Sequence, residues 1–278
     1  MDNGVEVFAK LPNPNAGPAH YTTASEVATR KILLEGLGIP VPRIYTWSSD
    51  RTNPVGAEYI IEEKAPGQPL GSLWHDWPRK WKLDIIAQVA EFENVLASTT
   101  FPQHGCIYFR DDLQGGSPAN RPITTDPLLP RSILDQLTLG PLTTAELWKD
   151  ERGSMAVDRG PWNSACEFIR AMGMNEIEWV KTHATPRFNY HRSMDESESP
   201  EELLTLLTRY MDISRHLAPP IVDEEIHSKT LWHPDLHLDN VFVDPDSKKI
   251  TRIVDWQSAA VAPLYSVVSR GCFGTTGL

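Results

Sequence analysis

The order of apolar and polar positions divides this chain into short β-type runs at its start, helical stretches in the middle and a β-type pair near its end. Val7-Phe8-Ala9-Lys10 sits in a β-type run stopped by Pro12, Pro14 and Pro18. Over residues 19–37 the apolar positions Ala24, Val27, Ala28, Ile32, Leu33 and Leu37 recur at helical spacing. They predict a helix that also carries Glu26 and Arg30 and that Gly36, Gly38 and Pro40 close. Residues 43–47 and 57–62 read as two strands around a turn rich in Ser, Asp, Asn and Pro, hence an antiparallel hairpin. Glu63-Lys64-Ala65-Pro66-Gly67 then breaks the pattern and reads as a hinge.

Beyond the hinge the periodicity is mainly helical. Residues 80–99 place Ile85, Ile86, Val89, Phe92, Val95 and Leu96 on one face of an amphipathic helix. A second helix is expected from Pro161, through Phe168, Ile169, Met172, Ile177 and Val180. A third is expected over 201–217, after an acidic turn that starts at Asp195. Residues 114–130, rich in Gly, Pro, Asn and Thr, read as a long surface loop, and Pro219-Pro220 as a break. Trp74, Trp77 and Trp81 fit helix packing better than a substrate wall. There is no internal repeat.

Composition narrows the class. With 278 residues the chain can bury a sizeable core, and its 40% apolar and 23% charged content is ordinary for a globular protein. A net charge of -11 argues against a nucleic-acid partner, which needs clustered Lys and Arg. The three cysteines, Cys106, Cys166 and Cys272, have no disulfide or zinc spacing, which fits a reducing intracellular compartment. No apolar run approaches the roughly 20 residues of a membrane span, and Met1-Asp2 opens no basic, apolar leader, so the expectation is a cytoplasmic protein.

The chemistry concentrates between Leu231 and Trp256. Leu231-Trp232-His233-Pro234-Asp235-Leu236-His237-Leu238-Asp239-Asn240 precedes the apolar run Val241-Phe242-Val243, a turn at Asp244-Pro245-Asp246-Ser247, and a second run ending at Asp255-Trp256. Pro234 excludes a continuous helix there. A tight turn would lay the two runs antiparallel and bring Asn240 close to Asp255. One carboxylate and one amide carbonyl are the hard oxygen donors that magnesium prefers, which leaves Asp235 to accept a proton or orient a hydroxyl. Turn and cap roles for these residues remain the plain alternative. So does a zinc hydrolase built on His233, His237, Asp235 and Asp239, although it lacks a clear further ligand.

His233-x-Asp235-x-x-x-x-Asn240 followed by Asp255-Trp256 resembles the catalytic loop and metal-binding turn of the aminoglycoside and choline kinase branch of the protein-kinase-like fold, and Leu236-His237 extends the match. Longer phrases, such as Gly160-Pro161-Trp162, are similar to fungal phosphotransferase-family proteins related to altered inheritance of mitochondria protein 9. The resemblance implies a two-lobe α+β kinase-like fold: a shortened antiparallel N-lobe over 1–64, then a mainly helical C-lobe over 65–278 that carries the catalytic loop at 231–256. It implies an ATP- and magnesium-dependent transfer of phosphate to a hydroxyl of an unidentified small molecule. Asp235 would be the base and His233 a structural member of the same loop, with Asn240 and Asp255 holding magnesium. Lys10 would contact the nucleotide phosphates, Glu26 would be its ion-pair partner, and Glu63, Lys64 and Ala65 would meet adenine. A mitochondrial location is implied by the fungal relatives alone.

The chain departs from the family pattern at Pro234, where Gly is usual, and by the added carboxylate of Asp239 and by Gln257 after Asp-Trp. Nine residues precede Lys10 and 23 follow Asp255, fewer than the family's phosphate-covering loop and terminal helices occupy. The expectation is therefore a chain truncated at both ends, with a non-catalytic binding or regulatory protein as the alternative to an enzyme.

Overall fold

A computed structural model of the chain describes residues 4, 6–13, 15, 17–113, 123–124, 129–188, 196–218 and 228–263. The bulk of the predicted loop at 114–130, together with Asp195, Pro219-Pro220, Cys272 and the tail beyond residue 263, lies outside the described residues.

Strand β1 (Val7–Lys10) pairs antiparallel with β3 (Tyr59–Glu63), which pairs on its other edge with β2 (Ile44–Ser48). The predicted hairpin is β2–β3. Asn53 closes its turn, donating to the carbonyls of Asp50 and Ala57 and accepting from the amides of Val55 and Gly56. Helix α1 (Tyr21–Lys31) packs on this sheet and continues through a π turn, Ile32–Gly36. Its apolar stripe, Ala24, Val27, Ala28, Ile32 and Leu33, is buried as the spacing predicts. Gly38 leaves the turn with φ +67, a conformation that L side chains rarely adopt.

After β3, β4 (Gln68–Pro69) leads to the short α2 (Gly71–Trp74) and the long α3 (Arg79–Ser98). β5 (Cys106–Phe109), α4 (Arg131–Leu134) and β6 (Leu137–Gly140) precede α5 (Ala165–His183). The two-residue strands β7 (Arg187–Phe188) and β8 (Ser197–Glu198) precede α6 (Pro200–Ile213). β9 (Lys229–Trp232), β10 (Val241–Asp244), β11 (Lys249–Ile253) and β12 (Ala260–Pro263) complete the described chain. β10 pairs with β11 as predicted and with β4 on its other edge, so residues 68–69 are tied to the β10–β11 hairpin. That edge demands glycine at 67, where φ is +90 and a Cβ would lie 2.2 Å from the Val243 carbonyl oxygen.

The α+β expectation holds, with several refinements. On α3, Ile85, Val89 and Leu96 are buried, whereas Ile86 and Val95 face outward, so the buried stripe is narrower than the apolar pattern. Helix α5 begins after Ser164, whose hydroxyl accepts from the Glu167 amide. Pro161 lies upstream, beside Trp162, which exchanges backbone hydrogen bonds with His104. Ser197–Glu198, expected within a turn, forms β8, and α6 starts from a capping box between Ser199 and Glu202 with Pro200 in its first turn. Trp77 and Trp81 pack edge to face at 5.8 Å under Lys248, which supports the packing role.

One core cluster joins α1 (Ala28, Ile32, Leu33) to β5, β6, β9, β11 and Trp256. His104 borders β5 as a buried imidazole whose Nδ1 has no hydrogen-bond partner. Burial, with Lys229 nearby, pushes its pKa down to about 4. Because the folded value lies below the unfolded one, stability is lost as pH falls from about 6.5 toward 4. Guanidinium denaturation should show about 2 kcal/mol lost between pH 7 and pH 5 through this group. His104→Phe should remove that part of the pH dependence.

Candidate active site

The site forms where the sheet of β1 meets the loop between β9 and β10. Lys10, at the end of β1, directs its ammonium to both carboxylate oxygens of Glu26 on α1, each at 2.9 Å. The same ammonium donates to Asp255 Oδ1 at 2.8 Å. Burial of Lys10 opposes its charge, but the Glu26 and Asp255 carboxylates outweigh this and hold its pKa above the usual lysine value. Residues 10, 26 and 255 therefore meet at one cation, which sequence spacing alone does not show.

Asp255 follows β11 in a left-handed conformation, φ +61, which Asp tolerates better than most residues. The adjoining Trp256 anchors this turn. Its indole is 1% exposed and donates to the Ile253 carbonyl at 3.1 Å. The His233 ring packs edge-on against it, with centroids 4.5 Å apart. His233 Nε2 bonds the Val254 carbonyl at 2.8 Å, and its Nδ1 accepts from the Asp235 amide at 3.1 Å. These partners select the neutral tautomer with hydrogen on Nε2. Burial lowers the His233 pKa against the opposing pull of the Val254 carbonyl and nearby carboxylates, which keeps the ring neutral. His233 thus clamps the loop that carries Asp235 to the turn that carries Asp255.

Asn240 ends a 3₁₀ turn, Leu238–Asn240, that His237 caps by accepting from the Asp239 amide. Its Nδ2 donates to the Asp235 carbonyl at 2.9 Å, and its own carbonyl accepts from the Val254 amide at 2.9 Å. Asn240 and Asp255 are therefore held side by side. Among the described residues Asn240 Oδ1 and Asp255 Oδ2 have no hydrogen-bond partner. They are hard oxygen donors, so the pair fits magnesium. Asp235 projects an exposed carboxylate, 72% exposed, with His237 Nε2 3.6 Å away, beyond a hydrogen bond. Among the described residues no group of three or more His, Cys, Asp and Glu forms a metal cluster of the zinc type.

At the predicted hinge segment, the Glu63 side chain pairs with Arg252 of β11, at 2.5 and 3.0 Å, and accepts from the Arg43 amide at 3.1 Å. Lys64 pairs with Glu6. The Glu63 side chain is thus engaged, and its backbone amide donates to the Arg43 carbonyl at 2.8 Å. Sequence reasoning left Arg30 without a role. Its guanidinium is 4% exposed and joins Glu26 to Glu62 of β3. A charged residue one turn from Glu26, inside the apolar stripe of α1, was the available signal.

The phosphotransferase enzyme family matches residues 2–266. A subtelomeric hrmA-associated cluster protein of Aspergillus fumigatus is 32% identical over 95% of this chain and 55% of its own length. Altered inheritance of mitochondria protein 9 of Saccharomyces cerevisiae is 26% identical over 91% of this chain and 44% of its own length. The chain thus spans about half the length of the curated relatives it matches. A solved aminoglycoside-3'-phosphotransferase of type VIII aligns over 98% of this chain and 74% of its own, with 19% identity and a TM-score of 0.44. No helix among the described residues is long and apolar enough to cross a membrane. With the family matched across nearly the whole sequence, and a relative 32% identical over 95% of it, the chain belongs to the phosphotransferase enzyme family.

Proposed function

We infer that the protein transfers the terminal phosphoryl group of ATP, with magnesium, to a hydroxyl of a small molecule. The observation that carries this reading is the meeting of Lys10, Glu26 and Asp255 at one ammonium, beside the clamped loop of Asp235 and Asn240. In this reading Lys10 binds the nucleotide phosphates and Glu26 orients it. Asp235 aligns the acceptor hydroxyl, whose oxygen attacks the terminal phosphorus. The bond to the bridging oxygen breaks, ADP leaves, and the hydroxyl proton passes to the Asp235 carboxylate. Asn240 Oδ1 and the Asp255 carboxylate would hold magnesium, which when bound neutralises charge on the phosphate oxygens. The backbone of residues 63–65 would meet the adenine, between a small lobe over 1–64 and a large lobe from 65 onward.

The relatives named as mitochondrial support a mitochondrial setting for the reaction. Calorimetric titration with Mg-ATP tests the reading. The parent protein should bind, and Lys10→Met should weaken binding roughly tenfold to a hundredfold, as expected for one lost charge-assisted hydrogen bond. A parent protein that binds no Mg-ATP would overturn it.

A further inference from the structure

Helix α1 must present Glu26 to a lysine on a different element, and its start is held by His20, bonded to Ser49 and the Asp112 carbonyl, and by Thr23, bonded to Glu58. It starts at His20 with φ 67 and no side-chain cap. One turn past Glu26, near the end of the helix, Arg30 adds a tie to the sheet. One terminal nitrogen of the guanidinium, Nη1, lies 3.6 Å from Glu26 Oε1 and pairs with Glu62 of β3. The other, Nη2, donates to the Pro42 carbonyl at 2.6 Å. Phe8 lies opposite Glu62 and Lys10 opposite Ile60, so Glu62 comes from the strand paired with the lysine's own. The Glu26 carboxylate therefore stands between two cations, Lys10 on the sheet side and Arg30 within its helix.

We propose that Arg30 is a positioning residue: tied to Glu62, it holds the Glu26 carboxylate at Lys10 and so presets the ammonium for an anionic phosphate. The planar guanidinium suits this task because it bonds the Glu62 carboxylate and the Pro42 carbonyl in fixed directions while its charge faces Glu26 at 3.6 Å. Arg30 also keeps Glu26 compensated when the Lys10 ammonium turns toward a ligand. A buried carboxylate left without a cation would protonate or swing away. The proposal rests on the reading of Lys10 as the phosphate contact, but the placement of Glu26 at Lys10 can be measured without any nucleotide.

The test compares the parent with Arg30→Met and with the double variant Arg30→Met/Glu62→Met. The single variant strands Glu62 as a buried charge and should melt earlier. The double variant removes both charges and should recover the melting temperature. The readout is the rate at which a small acetylating reagent modifies Lys10 in the folded protein, followed by peptide mass mapping with Lys82 as internal reference. A loosened Glu26 releases the Lys10 amine from its bonds to that carboxylate, so Lys10 should react roughly tenfold faster, the worth of one lost charge-assisted hydrogen bond. Lys82 should not change.

A double variant that melts like the parent and keeps the parent's Lys10 rate would overturn the proposal and leave Arg30 as a packing residue. Should that variant fail to fold, Arg30→Gln/Glu62→Gln, which removes both charges and keeps polar side chains, is read the same way. Mg-ATP affinity measured on the same proteins should fall in step with the faster acetylation. Absence of binding in the parent would overturn the phosphotransfer reading, while the Lys10 rates would still decide the role of Arg30.

Discussion

Asp235→Asn is expected to lower phosphoryl transfer by roughly 10²–10⁴-fold while leaving Mg-ATP affinity and the denaturation midpoint near those of the parent. The exposed Asp235 carboxylate has one neighbouring imidazole, at 3.6 Å, so its removal breaks no buried contact. The loop keeps its shape through other atoms: the Asp235 amide donates to His233, and its carbonyl accepts from Asn240. Asparagine retains the size and hydrogen-bonding reach of the side chain but cannot take the acceptor's proton. ADP release from ATP, measured against a panel of hydroxyl-bearing small molecules, reads the effect. Transfer at the parent rate would remove Asp235 from the base role.

Trp256→Ala should cost about 3–5 kcal/mol of stability, the range for emptying a buried aromatic position. Trp256 is among the largest fully buried side chains, and it lies in the core cluster that joins α1 to β5, β6, β9 and β11. Its loss also frees one face of His233 and the turn of Asp255, so the two halves of the site should loosen together. Guanidinium denaturation of the variant reads the stability term. Trp256→Phe, which refills most of the volume and keeps an aromatic face for His233, should retain most of it. Equal losses in the two variants would show that packing volume is not what the indole supplies.

The long helices were legible because a 3.6-residue period leaves a mark over many residues, as in α1, α3 and α6. β5 and β6 were not: Cys106, Ile107 and Tyr108 are all buried, as is every residue of β6, so no alternation marks them. The pairing of β9 with β12 was hidden for a related reason, since it joins segments separated by the whole of residues 233–259. Ile86 and Val95 misled in the other direction, because an apolar residue beside a buried stripe need not be covered. Within the site, Asp235, Asn240 and Asp255 stood out because one short stretch with a β-hairpin holds all three.

The sequence by itself determined the family, the elements of the first sheet and its helix, and the hairpin that brings Asn240 and Asp255 together. All of these follow from local period, turn chemistry and a motif contained in one stretch of chain. Only the tertiary structure decided that Glu26 and Asp255 meet at the Lys10 ammonium, that Arg30 lies between Glu26 and Glu62, and that His233 closes the loop onto Val254. The reason is physical. Charged groups this far apart in the chain meet because the burial of α1 and Trp256 in one apolar core places their backbones, and that placement is a property of the packed whole.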